Sequence, residues 1–322
     1  MKITYIHHSS FLVEMEQIAL LFDYFEGEIP EIRQDQLLIV FASHRHGDHF
    51  SPGIFDLAEN HPKIWFVLSD DIWRKRVPEE FLCRTSFLGS GEEFSFQKET
   101  GEKVPVTVKA FKSTDEGVAF LIEAEGKVLY HAGDLNNWVW EGEPEEYNCR
   151  MSEAFHSELL KIAGNHIDVA FMLLDPRQGK DFYLGMDDFM HMVGADIVFP
   201  MHFWGDFGVT ERFKTLPVQL TMQKRLWKFV VRGKAFSYSI NCGKERKKQL
   251  YDTYQGKPVL DPAGKTDSRA DLVIEDGIIR EICPPDTLGG RTEAEYEQII
   301  DGTGLVTAPG LVDVHVHFRD PA

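Results

Sequence analysis

The chain has 322 residues, of which 43% are hydrophobic and 27% charged, with a formal net charge of −18 and a pI near 5.1. That length can bury a full core and admits more than one domain. The charge argues against nucleic acid and anionic membranes as partners. No uncharged apolar run approaches the roughly 20 residues of a membrane span. Met1–His8 holds no apolar signal core, so the expected compartment is the cytoplasm and the expected partner a small-molecule substrate. Cys83, Cys149, Cys242 and Cys283 are scattered, with no Cys-x-x-Cys pair, which suggests neither a zinc knuckle nor a disulfide framework. Nothing in the composition marks an oligomeric state.

In chain order, residues 3–6, 11–14 and 18–23 read as an antiparallel meander rich in Ile, Leu, Val and Phe. His8 falls in its first turn, either as a solvated residue or as part of a pocket. Residues 37–41 form a continuous apolar run, the pattern of a strand buried on both faces. Ser43-His44-Arg45-His46-Gly47-Asp48-His49 follows directly. His44, His46, Asp48 and His49 are four potential ligands within six residues, at the end of a rigid strand. Neutral imidazole and carboxylate are the groups that zinc, iron and manganese accept. Ser51-Pro52 predicts a helix to about residue 60. A strand over 64–68 and a short helix over 70–76 follow.

Residues 104–111, 117–123 and 127–131 read as strands, the last two joined by a turn at Glu125-Gly126. Gly133 then permits a tight turn that aims Asp134 inward. Helical spacing covers 151–163 and 186–193. Buried strands cover 168–174, ending in Asp175-Pro176-Arg177, and 196–202, ending in His202. A helix over 217–229 and a strand over 235–240 close this part. Trp138 and Trp204 sit beside ligand-bearing strand ends, where they would either wall a cleft or pack in the core. Arg177 is positioned either to meet an anionic substrate or to be solvated. This order of elements suits two sheets sandwiched between helices.

His-x-His-x-Asp-His after a buried strand resembles the signature of the metallo-β-lactamase superfamily. The resemblance implies a four-layer αββα sandwich over residues 1–241. It implies that His44 and His46 hold one metal, that Asp48 and His49 help to hold a second, and that Asp134 bridges them. By the same resemblance His202 is the last ligand; His131 reads as a structural neighbour rather than a ligand. The superfamily usually supplies a further His to the first pair, but Phe111-Lys112-Ser113-Thr114-Asp115-Glu116-Gly117 contains none. Asp115 is the candidate replacement; water, or a single-metal site, is the alternative. The expected cofactor is zinc, one or two ions, with manganese or iron possible by donor chemistry. The expected chemistry is hydrolysis of an ester, phosphodiester, lactone or amide, with Asp48 as ligand and proton handler. A non-catalytic metal-binding module is the competing reading.

A charged run at 242–250 reads as a linker. Beyond it, residues 270–279 predict a β-hairpin turning at Asp276-Gly277. Ala308-Pro309-Gly310-Leu311-Val312-Asp313-Val314-His315-Val316-His317-Phe318-Arg319 then resembles the start of a dihydroorotase of the amidohydrolase superfamily. The resemblance implies His315 and His317 as metal ligands on the first strand of a (β/α)₈ barrel, and Arg319 as a substrate contact. Such a barrel takes about 250 residues. Residues 251–322 are therefore expected to be a β-rich extension ending in one strand of an incomplete, inactive barrel, from a fusion or a truncated gene. The alternative function is that of a dihydroorotase piece with residues 1–241 as an accessory domain.

Overall fold

A computed structural model describes residues 1–96 and 105–216, together with the strands at 236–239, 251–261, 266–275, 278–283 and 296–301. The chain divides into two compact units, Met1–Asn241 and Cys242–Ala322.

The first unit is built on two mixed sheets. One contains β1 (Lys2–His7), β2 (Ser10–Glu14), β3 (Ile18–Phe22), β4 (Leu37–Ala42), β5 (Ile64–Ser69) and β6 (Thr85–Leu88) in that spatial order. The other contains β7 (Glu93–Ser95), β8 (Val106–Lys112), β9 (Val118–Ala124), β10 (Lys127–His131), β11 (Val169–Leu173) and β12 (Ile197–Met201). A further strand, β13 (Phe236–Ser239), pairs antiparallel with β1. The expected meander is present: β1, β2 and β3 pair antiparallel.

From β3 to β6, and again from β10 to β12, the pairing is parallel. Parallel strands are covered on both faces, which explains the unbroken apolar run of β4. Ile39 and Phe41 face the core between the sheets, whereas Leu38, Val40 and Ala42 pack into a second cluster with Ile54 and Phe55. Between the sheets Phe171 meets Phe11 at 4.5 Å and Phe22 at 5.7 Å, and Phe41 meets Phe120 at 5.3 Å. Truncating such a ring costs about 3–5 kcal/mol. The opposite edge is stapled by Glu125, whose carboxylate accepts from the backbone N–H groups of Glu16, Gln17 and Ile18 at 2.7–3.1 Å. Glu125 and Gly126 both take positive φ, the twist that a two-residue hairpin needs.

Among the described residues three α-helices pack on this frame: α1 (Glu145–Ile162), α2 (Leu184–Met192) and α3 (Val209–Thr215). Phe189 of α2 stacks on Tyr130 of β10 at 5.1 Å. Helix α1 begins six residues before the predicted helix, because its first turn is polar and shows no apolar period. The predicted helix after Ser51 is a 3₁₀ segment, Pro52–Glu59, with the Ser51 hydroxyl accepting from the Gly53 N–H. The predicted helix over 70–76 is reduced to a 3₁₀ turn at Arg74–Arg76. The predicted helix over 217–229 lies outside the described residues.

The second unit is a four-stranded sheet, ordered β16 (Ile278–Cys283), β15 (Thr266–Glu275), β14 (Tyr251–Asp261), β17 (Tyr296–Asp301). Glu275 pairs antiparallel with Ile278; the expected turn residues, Asp276-Gly277, lie outside the described residues. His315, His317, Arg319 and the expected barrel strand lie outside the described residues. Among those residues no helix is long and apolar enough to cross a membrane.

Candidate metal centre

Parallel strands end on a common side, so the loops after β4, β10 and β12 can deliver side chains to one place. They do so here. His49 Nε2 and His202 Nε2 each lie 3.3 Å from Asp134 Oδ1, and His44 Nε2 lies 3.6 Å from Asp134 Oδ2. Ligand atoms of His8, Asp48, His49 and His202 all fall within 4.8 Å of one another, as do those of His44, His46 and Asp48. His46, Asp115 and Asp134 form another such group. The structure therefore brings together all six of the expected ligands, along with Asp115 and His8.

The glycines explain how the loops come so close. A Cβ on Gly117 would lie 2.0 Å from the Ser43 carbonyl oxygen and 2.5 Å from His44 Cβ. One on Gly133 would lie 2.7 Å from Ser43 Cβ and from the Val118 oxygen. His8 and His202 adopt φ of 51° and 63°, a left-handed backbone that costs a non-glycine residue of order 1–3 kcal/mol. They are tied together by the His202 N–H donating to the His8 oxygen at 3.3 Å, and the His8 N–H donates to the Tyr5 hydroxyl at 2.8 Å.

A second ring of groups fixes the imidazoles. His49 Nδ1 donates to Asp23 at 2.7 Å and His202 Nδ1 donates to Asp175 at 2.9 Å. The Ser43 hydroxyl donates to Asp23 at 2.6 Å, leaving its lone pair to the Nδ1–H of His44 at 3.0 Å. Each partner selects the tautomer whose Nε2 lone pair faces the centre, the arrangement of metal-binding histidines. The Nε2 atoms of His8, His44, His49 and His202, and Oδ1 of Asp134, are buried without a hydrogen-bond partner. Five unpartnered polar atoms on one centre would be costly in an empty core. One or two divalent cations would satisfy them, and the donor set of imidazoles and carboxylates suits zinc, iron or manganese.

Electrostatics divide the imidazoles. Burial pushes the imidazolium forms of His8 and His44 down, to about 4. Burial opposes charge on His49 too, but Asp134, Asp23 and Asp48 outweigh it and raise its value to about 9. Asp23 and Asp175 are each held down to about 2: burial opposes ionisation, but histidines facing both, and Arg177 beside Asp175, outweigh it. Asp48 lies well below the usual carboxylate range: burial opposes ionisation, but the His8 ring 3.5 Å away and the charges of His49 and His202 outweigh it. Asp115 is raised by burial and by the nearby Asp134.

His131 stays out of the ligand group, as expected. Its Nε2 lies 3.0 Å from the Ser9 oxygen, its Nδ1 accepts from Gly133 N–H, and its ring stacks on Phe22. Trp138 is buried, donates to the Asp134 oxygen at 2.9 Å and stacks on Trp140, so it braces the Asp134 turn. Trp204 is half exposed and lies 4.4 Å from the His8 ring. Sequence reasoning missed the roles of Asp23, Asp175 and Ser43. A signal existed: Asp23 and Asp175 each follow closely on a strand buried at every position.

Residues 2–147 match a family described as a β-lactamase superfamily domain. The UPF0173 metal-dependent hydrolase of Alkaliphilus metalliredigens is 26% identical over 216 residues, covering 63% of this chain and 85% of that protein. Among solved structures, Igni18, a metallo hydrolase from Ignicoccus hospitalis, aligns with a TM-score of 0.51 at 15% identity, over 74% of this chain and 99% of its own. The first unit thus has the metallo-β-lactamase fold, and its likenesses are consistent with an enzyme. A dihydroorotase of Clostridioides difficile is 52% identical over 64 residues, 20% of this chain and 14% of that enzyme. The chain therefore spans only a small part of the dihydroorotases it matches.

Proposed function

We propose that residues 1–241 are a metal-dependent hydrolase acting on a small molecule with an ester, phosphodiester, lactone or amide bond. The observation that carries this reading is the convergence of five buried, unpartnered donor atoms on one centre. Asp48, His49, His202 and Asp134, with His8 beside them, would hold one cation. His44, His46 and Asp134 would hold a second, with Asp115 standing where the superfamily places a further histidine. Zinc is the first choice of metal. A bound cation supplies Lewis acidity, bringing water near neutral pKa and polarising the bond under attack.

The chain's own residues do the rest. Asp23, Ser43 and Asp175 orient the imidazoles of His49, His44 and His202 so that Nε2 faces the centre. Asp48 Oδ2 lies 3.5 Å from His8 Nε2, and its side chain is still partly open to solvent. It is ionised at neutral pH, so it can accept a hydrogen bond from the attacking water and orient it towards the substrate. Elemental analysis together with turnover of a generic phosphodiester and a generic ester tests the reading. His46→Ala should remove metal-dependent turnover while leaving the protein folded. Undiminished turnover in that variant would reject it.

A second reading rests on the dihydroorotase match: residues 251–322 as part of a cyclic amide hydrolase, with the first unit an accessory. Turnover of dihydroorotate, undiminished in the His46→Ala variant, would favour it.

A further inference from the structure

Arg177 has an unusual setting. Its Nε donates to both oxygens of Asp175 at 2.9 Å, and Nη2 donates to Asp175 Oδ2, which also receives His202 Nδ1. One edge of the guanidinium is therefore consumed by the group that holds a ligand. The other edge is not: Nη1 makes no hydrogen bond among the described residues, and the side chain is 48% exposed. Its Cζ lies 4.7 Å from the ring centre of Trp204, which in turn packs on His8. The fork and the indole fix the plane of the cation, so its free edge is presented in one orientation. An arginine serving only to neutralise Asp175 would need neither the exposure nor the exposed indole against it.

We propose that Arg177 is the docking point for an oxyanion carried by the substrate, a carboxylate or phosphate group, with the flat part of the substrate against Trp204. A planar guanidinium with free N–H groups matches such an oxyanion. The charge around it makes the choice specific. Asp134 and Asp48 lie close enough for their charges to act on Arg177. A cation at the centre would offset those carboxylates, and Arg177 then supplies the remaining positive charge. On its other side Arg177 lies 6.0 Å from Trp140. Trp140 also borders a cavity of about 670 Å³ whose lining sets five carboxylates, Glu141, Glu143, Glu145, Glu153 and Asp181, against one lysine, Lys180. That cavity repels an anion, so the anionic end is held on the Arg177 side. The substrate class that follows is a small, anionic ester, lactone or amide; this rests on the hydrolase reading for the bond broken, but the docking itself requires no turnover.

Calorimetric titration of the zinc-loaded protein with benzoate, phenylphosphonate and the neutral benzamide tests it. The anions should bind at least about tenfold more tightly than benzamide. In Arg177→Gln that preference should vanish. Equal binding of the three probes by the unaltered protein, or an undiminished preference in Arg177→Gln, would overturn the proposal. Because Arg177 also touches Asp175, the variant's metal content is measured alongside. If metal is lost, crystals of the unaltered protein with 4-bromobenzoate decide the matter: the carboxylate should lie within hydrogen-bond distance of Arg177 Nη1, and a carboxylate bound only elsewhere counts against the assignment. An anion preference without hydrolysis of any ester would reject the hydrolase reading alone.

Discussion

The two sides of the candidate metal centre are built to different standards. On the side of His8, His49 and His202 the three imidazoles are 3%, 0% and 1% exposed, and Asp23 and Asp175 fix two of them. On the side of His46 and Asp115 neither residue is buried; the Asp115 backbone N–H donates to Ser113, but among the described residues no protein group donates to its carboxylate. A buried, fully braced side loses much when one member is removed, because its neighbours are left desolvated and unpaired. An open side can replace a lost ligand with water. The closed side is therefore expected to bind metal first and tightest, and the open side to adjust metal number and reactivity.

Asp134 belongs to both sides, so its removal should have the largest effect. Asp134→Ala is expected to take turnover below detection and to lose metal from both groups, as read by elemental analysis. A variant that kept one full equivalent of metal would show that the closed side does not depend on the shared carboxylate. Metal removal should come next, through stability. In the metal-free protein His8 and His44 have folded values of about 4, below the ordinary 6.5. The unfolded chain then takes up protons first, so their contribution is complete above pH 6.5 and is lost as pH falls towards 4, at about 3 kcal/mol for each group. His49 runs the other way. Its folded value near 9 gives a contribution complete below pH 6.5 and lost as pH rises through 9. The metal-free protein should thus melt highest near neutrality and lose stability on both sides. Calorimetric melting from pH 4 to 10 checks this, and a monotonic profile would contradict the opposed signs.

Removing a brace should be milder than removing a ligand. Asp23→Asn keeps the shape at His49 but gives up the charge that raises its basicity. Metal affinity should fall about 10–100-fold, measured by competition with a chromophoric chelator. Asp175→Asn should act similarly on His202. If both variants bind metal like the unaltered protein, the closed side does not owe its grip to these carboxylates.

What the sequence displayed and what it hid follow the same division. His44, His46, Asp48 and His49 lie within one loop after one apolar strand, so local pattern alone exposes them. Asp134 and His202 each follow closely on a buried strand, and it is the motifs of the superfamily the chain resembles that mark them as ligands. Asp23 and Asp175 looked like ordinary loop acids, since their partners come from residues 26 and 27 positions away. His8 stayed undecided because its place in the site depends on a left-handed turn residue, which the sequence does not declare. The start of α1 was hidden for a simpler reason: a polar first turn carries no period.

The smallest expected effect falls on Asp115, where the chain departs from the superfamily it resembles. A carboxylate there brings a negative charge where an imidazole would bring none, and burial together with Asp134 makes that charge unfavourable in the metal-free protein. A cation shared with His46 and Asp134 would relieve it. Asp115→Ala should therefore leave the closed side loaded and weaken only the second equivalent, by about tenfold or less, since water can take the place left open. Asp115→His should restore or exceed the original affinity. Two-site metal titration of the three proteins distinguishes the outcomes. Loss of the first equivalent in Asp115→Ala would mean that the two sides are one coupled site, and that the contrast between them reflects solvent access rather than function.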